Sequence, residues 1–102
     1  MLPMECVCTK VDGTKYTIEY VIIQEEKGEN ENGTEYGICC RLYEAEDTVD
    51  VEEVKGITAE KGLITKILSV LEKNQVFPVH MREIVEDLLI LEYEEKIVSA
   101  FT

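Results

Sequence analysis

The sequence predicts an α+β domain: a four-stranded antiparallel β-meander with two C-terminal helices packed on one face. Three observations predict it. Residues 1–56 carry apolar positions that alternate and are broken by turn residues. Residues 57–102 carry apolar positions at helical spacing. The strands come first and the helices after, an order that suits α+β rather than alternating α/β. At 102 residues the chain reads as one domain, 1–102, with no linker, internal repeat or low-complexity block.

The first strand is expected over residues 4–11, closed by the turn signal Asp12-Gly13, where both residues tolerate positive φ. The second, over residues 14–24, is the clearest. Tyr16, Ile18, Tyr20 and Ile22 alternate on one face, while Thr17 and Glu19 take the other. Val21 and Ile23 are apolar on that other face, so the far end of the strand is expected to be covered on both sides. Residues 27–34 have two glycines, two asparagines and no apolar residue, and read as a solvated loop. Asn32-Gly33-Thr34 within it matches a glycosylation sequon, which reads as a chance match because no secretory route is expected. The third strand, over residues 35–43, alternates through Tyr36, Ile38, Cys40 and Leu42. The fourth, over residues 48–54, is read with Val49 and Val51 inward, and a bulge or strand end at Glu52-Glu53-Val54, where alternation breaks.

The first helix is expected after Thr58, a good N-cap, with Ile57 as staple residue and Glu60 in the first turn. Leu63, Ile64, Ile67, Leu68 and Leu71 form its stripe, and Asn74 is the expected left-handed terminator. Gly62 inside it costs about 1 kcal/mol against Ala, which suggests close packing there. Gln75-Val76-Phe77 is an extended link, because a residue before proline is pushed out of the helical region. Pro78 opens the second helix at a first-turn position, where its missing N–H costs nothing. Met81, Ile84, Val85, Leu88 and Leu91 form the inward stripe of this helix. Arg82, Glu83, Glu86 and Asp87 form its outer face.

Charge narrows the function. Ten Lys and Arg face 22 Asp and Glu, for a net of −12. The excess sits mainly in residues 1–56, with 14 acids against 5 bases; residues 57–102 hold 8 and 5. Nucleic-acid binding needs a basic footprint, and an anionic membrane surface attracts basic segments; neither partner is expected. Acids spread through loops and strand ends do not imitate regularly spaced phosphates, which disfavours a DNA mimic. No run approaches the ~20 apolar residues of a membrane span. Met1-Leu2-Pro3-Met4-Glu5 lacks the basic and apolar regions of a secretory leader, so a cytoplasmic protein is expected.

No residue qualifies as catalytic, cofactor-binding or metal-binding. Cys6 and Cys8 share one strand face while Cys39 and Cys40 point to opposite faces, so three of the four could converge but not easily all four, which disfavours a zinc site. They read as small buried hydrophobes, reduced in the cell. His80, the one histidine, sits in the first turn of helix two with no Cys, Asp or Ser placed to activate it; Glu83 three residues on is a surface pair. Phosphate loops, nucleophile elbows and calcium loops are missing, and Glu46-Asp47-Thr48-Val49-Asp50 lacks the glycine and terminal glutamate of the last. Glu52-Glu53 and Glu86-Asp87 are neighbours of the kind so acidic a chain produces by chance. An enzyme is not expected.

Four strings carry a resemblance: Tyr36-Gly37-Ile38; Val51-Glu52-Glu53-Val54-Lys55-Gly56-Ile57-Thr58; Asn74-Gln75-Val76-Phe77-Pro78-Val79-His80-Met81; and Val85-Glu86-Asp87-Leu88-Leu89. Together they resemble a family of short clostridial proteins, the domain-of-unknown-function family numbered 6514. The resemblance implies a cytosolic Firmicutes protein of about this length. It implies no activity, cofactor or catalytic residue, and Pro78-Val79-His80 reads as readily as a helix start as a site.

The function expected is a non-enzymatic cytosolic regulatory or protein-interaction module, self-associating as a homodimer, with a protein partner left unidentified. The alternative is a small-molecule sensor with a pocket between sheet and helices. The candidate interaction surface is Val79 and Ile90, which fall opposite the stripe of helix two, with Ile97, Val98 and Phe101 of the tail. The competing reading of the tail, 94–102, bends the chain after Leu89 and returns it as an edge strand that buries these residues within one monomer.

Overall fold

Alternation along the first half builds the sheet, and helical spacing in the second half covers it. The computed structural model describes the backbone of residues 2–11, 15–26 and 33–101 and the side chains of residues 8–11, 15–26 and 33–95. The expected turn at Asp12-Gly13, the loop over 27–32 with its Asn32 sequon, and the side chains of Ile97, Val98 and Phe101 lie outside the described residues. Strands β1 (Leu2–Lys10), β2 (Tyr16–Glu26), β3 (Thr34–Glu44) and β4 (Asp47–Thr58) pair antiparallel in chain order, β1-β2-β3-β4. Helices α1 (Lys61–Lys73) and α2 (Pro78–Phe101) follow and pack on the sheet. Among the described residues no helix is long and apolar enough to cross a membrane.

The β2–β3 ladder runs without a register shift from Tyr16 opposite Glu44 to Glu26 opposite Thr34. Ile18 therefore faces Leu42, Tyr20 faces Cys40 and Ile22 faces Ile38, and all six are buried on the helix side. On the other face Val21, Ile23 and Cys39 are buried together. Beside them Glu19 accepts hydrogen bonds from the Arg41 guanidinium at 3.0 Å and the Tyr43 hydroxyl at 3.3 Å.

β4 departs from the expected pattern. Glu52, Glu53 and Val54 pair regularly with Cys40, Cys39 and Ile38; the irregularities flank them. Leu42 faces Asp50 while Tyr43 faces Thr48, so Val49 is the extra residue. Lys55, Gly56 and Ile57 stand against Gly37 alone. Gly56 is in the left-handed region, at φ 61°. Gly37 lies so close beneath the arching strand that a Cβ there would run into the Val54 carbonyl oxygen. Val49 and Val51 are not inward but half exposed. Pairing with β3 sets the phase: Val51 lies opposite Arg41 on the face away from the helices, and Val54, opposite Ile38, takes the inward place.

In α1, Ile64, Ile67, Leu68 and Leu71 are buried, with Leu63 at the margin. Its N-cap is Glu60 rather than Thr58. The Thr58 hydroxyl instead accepts the Glu60 N–H at 3.1 Å, forming a turn just before the helix. The left-handed terminator is Gln75, at φ 49°, not Asn74. Gln75 N–H bonds Glu72 O and Val76 N–H bonds Leu71 O, the paired bonds of a Schellman ending. Gly62 has nothing within 4 Å of where a side chain would start, so no close packing explains it.

One core lies between sheet and helices, made of the inward residues of β2 and β3, the α1 stripe, Val76, Met81 and Val85. The link between the helices is tied into it: the Tyr20 hydroxyl donates to Val76 O at 2.7 Å, with the Cys40 thiol 3.8 Å from the same oxygen. Burial raises the pKa of both groups, Cys40 to about 12, so they stay protonated at neutral pH.

Candidate interaction surface

α2 starts firmly. Pro78 occupies its first turn and is buried, the His80 N–H bonds Phe77 O at 3.0 Å, and the Phe77 ring meets Tyr16 edge-on at 6.2 Å. Arg82 reaches across to β4, donating to the Glu52 carboxylate and to Glu53 O, both at 3.2 Å. Met81 and Val85 are buried, and Ile84, Leu88 and Leu89 pack partly against the core.

Past Leu89 the described apolar side chains are exposed while the helix continues. Ile90, Leu91 and Tyr93 are 56%, 55% and 66% exposed. Leu91 was expected in the inward stripe; it lies past the end of the core and belongs to the surface. α2 runs on to Phe101, so the chain does not bend after Leu89 and the tail is not an edge strand. Val79 is also exposed, and it stands eleven residues from Ile90, about 16 Å along the axis at ~1.5 Å per residue. Glu83 and Glu86 lie between them, so Val79 is apart from the patch around Ile90. Tyr93 was missed in the sequence; its place three residues after Ile90 was the available signal.

A cavity of about 140 Å³ opens beside this patch, between the two helices rather than between sheet and helices. Leu63, Ile67 and Val70 of α1 and Leu88 and Leu91 of α2 give it apolar walls. Lys66 and Glu92 stand at its rim, 3.8 Å apart.

A family described only as one of unknown function, DUF6514, matches residues 2–91. The chain belongs to the DUF6514 family. No curated protein and no solved structure matches it. The surface of this DUF6514 chain is therefore read from its own residues.

Among the described residues, the others singled out in the sequence do not come together. His80 is exposed at the start of α2. Cys8 is exposed, and Cys39 and Cys40 are buried on opposite faces of β3; the side chain of Cys6 lies outside the described residues. Burial raises the Cys39 pKa, the Arg41 guanidinium opposing it. Among the described residues no group of three or more His, Cys, Asp or Glu is arranged to hold a metal ion.

Proposed function

We propose that this DUF6514 chain is a non-enzymatic, cytoplasmic protein-interaction module that works as a homodimer, with the outer side of α2 beyond Leu89 as its contact. The observation that supports this reading is the exposed pair Ile90 and Tyr93, with Leu91 beside them at the cavity, on a helix that continues past the last core contact among its described side chains. Single exposed apolar residues are ordinary, but a contiguous group marks a surface that gains by being covered. A twofold contact is the commonest cover. The sensor alternative has less support among the described residues: the cavity between the helices, about 140 Å³, falls short of the ~300 Å³ at which small-molecule clefts begin.

Sedimentation velocity at tens of micromolar, roughly the range where a weak dimer shows, tests the reading. The wild type should sediment as a dimer, and Ile90→Asp with Phe101→Ser as a folded monomer. A monomeric wild type ends the proposal. An unfolded double variant would assign the tail to the core of the monomer.

A further inference from the structure

We infer that α2 of a second copy packs across the groove between α1 and α2, over the cavity rather than within it, so that the lysines of each α1 meet the acids of the other copy's α2; the inference rests on the self-association reading above. The charge of the chain is unevenly spread. α1 carries Lys61, Lys66 and Lys73 against Glu72 alone, and is the one net-positive element of the six. α2 carries Glu83, Glu86, Asp87, Glu92, Glu94 and Glu95 against Arg82 and Lys96.

The placement of these charges matches the groove. Lys66 and Lys73 are both exposed and seven residues apart, two turns along one side of α1, and Lys66 stands at the rim. Asp87 and Glu94 are likewise exposed and seven residues apart on α2, flanking Leu91 of the groove wall. Within one copy Lys66 has only a 3.8 Å approach to Glu92 and stays two-thirds exposed.

Two arrangements would bury Ile90 and Leu91. Packing α2 on α2 alone would set Asp87 and Glu94 close to their own counterparts, where like charges repel. Packing α2 across the groove of the other copy places those acids beside Lys66 and Lys73 and lays apolar residues over the apolar walls. Twofold symmetry makes the match twice, α1 to α2 and α2 to α1. The occupant is thus complementary in both charge and polarity, and it is the chain itself.

A charge swap tests this. One protein carries Lys66→Glu and Lys73→Glu; the other carries Asp87→Lys and Glu94→Lys. At about 30 µM each alone should be monomeric where the wild type is dimeric. An equimolar mixture should restore a dimer, at least about tenfold tighter than either variant with itself, because both contacts again pair opposite charges. Thermal melting checks that each variant is folded, and the single substitutions Lys73→Glu and Glu94→Lys are read in place of a pair that is not. A variant that dimerises as the wild type does, or a mixture of folded variants that stays monomeric, overturns the inference. A wild-type dimer broken by Ile90→Asp but indifferent to the charge swap overturns this inference and leaves the homodimer standing. A monomeric wild type overturns both.

Discussion

α1 and α2 are both amphipathic, yet they spend their apolar residues differently. α1 is 13 residues long, and its large apolar residues are buried or partly buried. It ends in a Schellman turn whose Val76 and Leu71 both enter the core. α2 is 24 residues long, and among its described side chains, which run to Glu95, those that pack on the core end at Leu89. Beyond that point Ile90, Leu91 and Tyr93 face solvent. A periodic stripe therefore says which side of a helix is apolar; the reach of the layer beneath decides how much of the stripe becomes core.

The largest expected effect contrasts the two. Ile67→Ala in α1 and Met81→Ala in the docked part of α2 should each cost about 2–5 kcal/mol in urea unfolding, since both side chains are essentially fully buried. Leu91→Ala, measured at a concentration where the chain is monomeric, should cost less than about 0.5 kcal/mol. Equal costs for Ile67→Ala and Leu91→Ala would erase the distinction between docked and overhanging helix.

Next in size is the tie that holds both helices to the sheet. Tyr20→Phe removes the donor to Val76 O and should cost about 1–3 kcal/mol, the price of a buried carbonyl left without its main partner. A neutral Tyr20→Phe would mean that the link is held by packing alone.

Alkali probes the same place. Cys40 keeps its proton up to about pH 12 in the folded chain, against an ordinary value of 9.0, and burial raises Tyr20 as well. Above pH 9 the unfolded chain loses a proton that the folded chain keeps, so stability should fall as pH rises. The limiting slope is about 1.4 kcal/mol per pH unit for each group. Denaturation midpoints from pH 7 to 11 should fall less steeply in Cys40→Ala than in wild type; an identical slope would remove Cys40 as a source.

The smallest effects concern the ends of α1. Gly62→Ala should stabilise by about 0.5–1 kcal/mol, because nothing lies near the added methyl. Gln75→Gly should gain up to about 1 kcal/mol by relieving a side chain at φ 49°. A loss of melting temperature in Gly62→Ala would show packing against that site.

The sheet was legible because β2 and β3 alternate cleanly and pair without a shift; their bounds lie within two residues of those expected. β4 was legible as a strand but not in phase. Two of its inward positions are Asp50 and Glu52, opposite Leu42 and Cys40, so hydropathy pointed to Val49 and Val51 instead. Only the partner strand and the bulges set that phase. The terminator of α1 was misplaced by one residue because Asn is the better left-handed residue, while the bonds close one position later, at Gln75. Of the candidate surface, Val79 and Ile90 are exposed, and Leu91 and Tyr93 are exposed beside Ile90 because the extent of the core cannot be read from period.

The meander also governs the order in which the chain can fold. Each strand pairs with its neighbour in sequence, so the sheet closes through short loops, whereas Tyr20 must find Val76 across 56 residues. Loop-closure entropy favours the near contacts first. During synthesis from the N-terminus the four strands emerge before either helix. A nascent sheet then shows Ile18, Tyr20, Ile22, Ile38 and Cys40 bare on the face that α1 and α2 later cover. A chain halted before α1 would therefore leave that face without its cover.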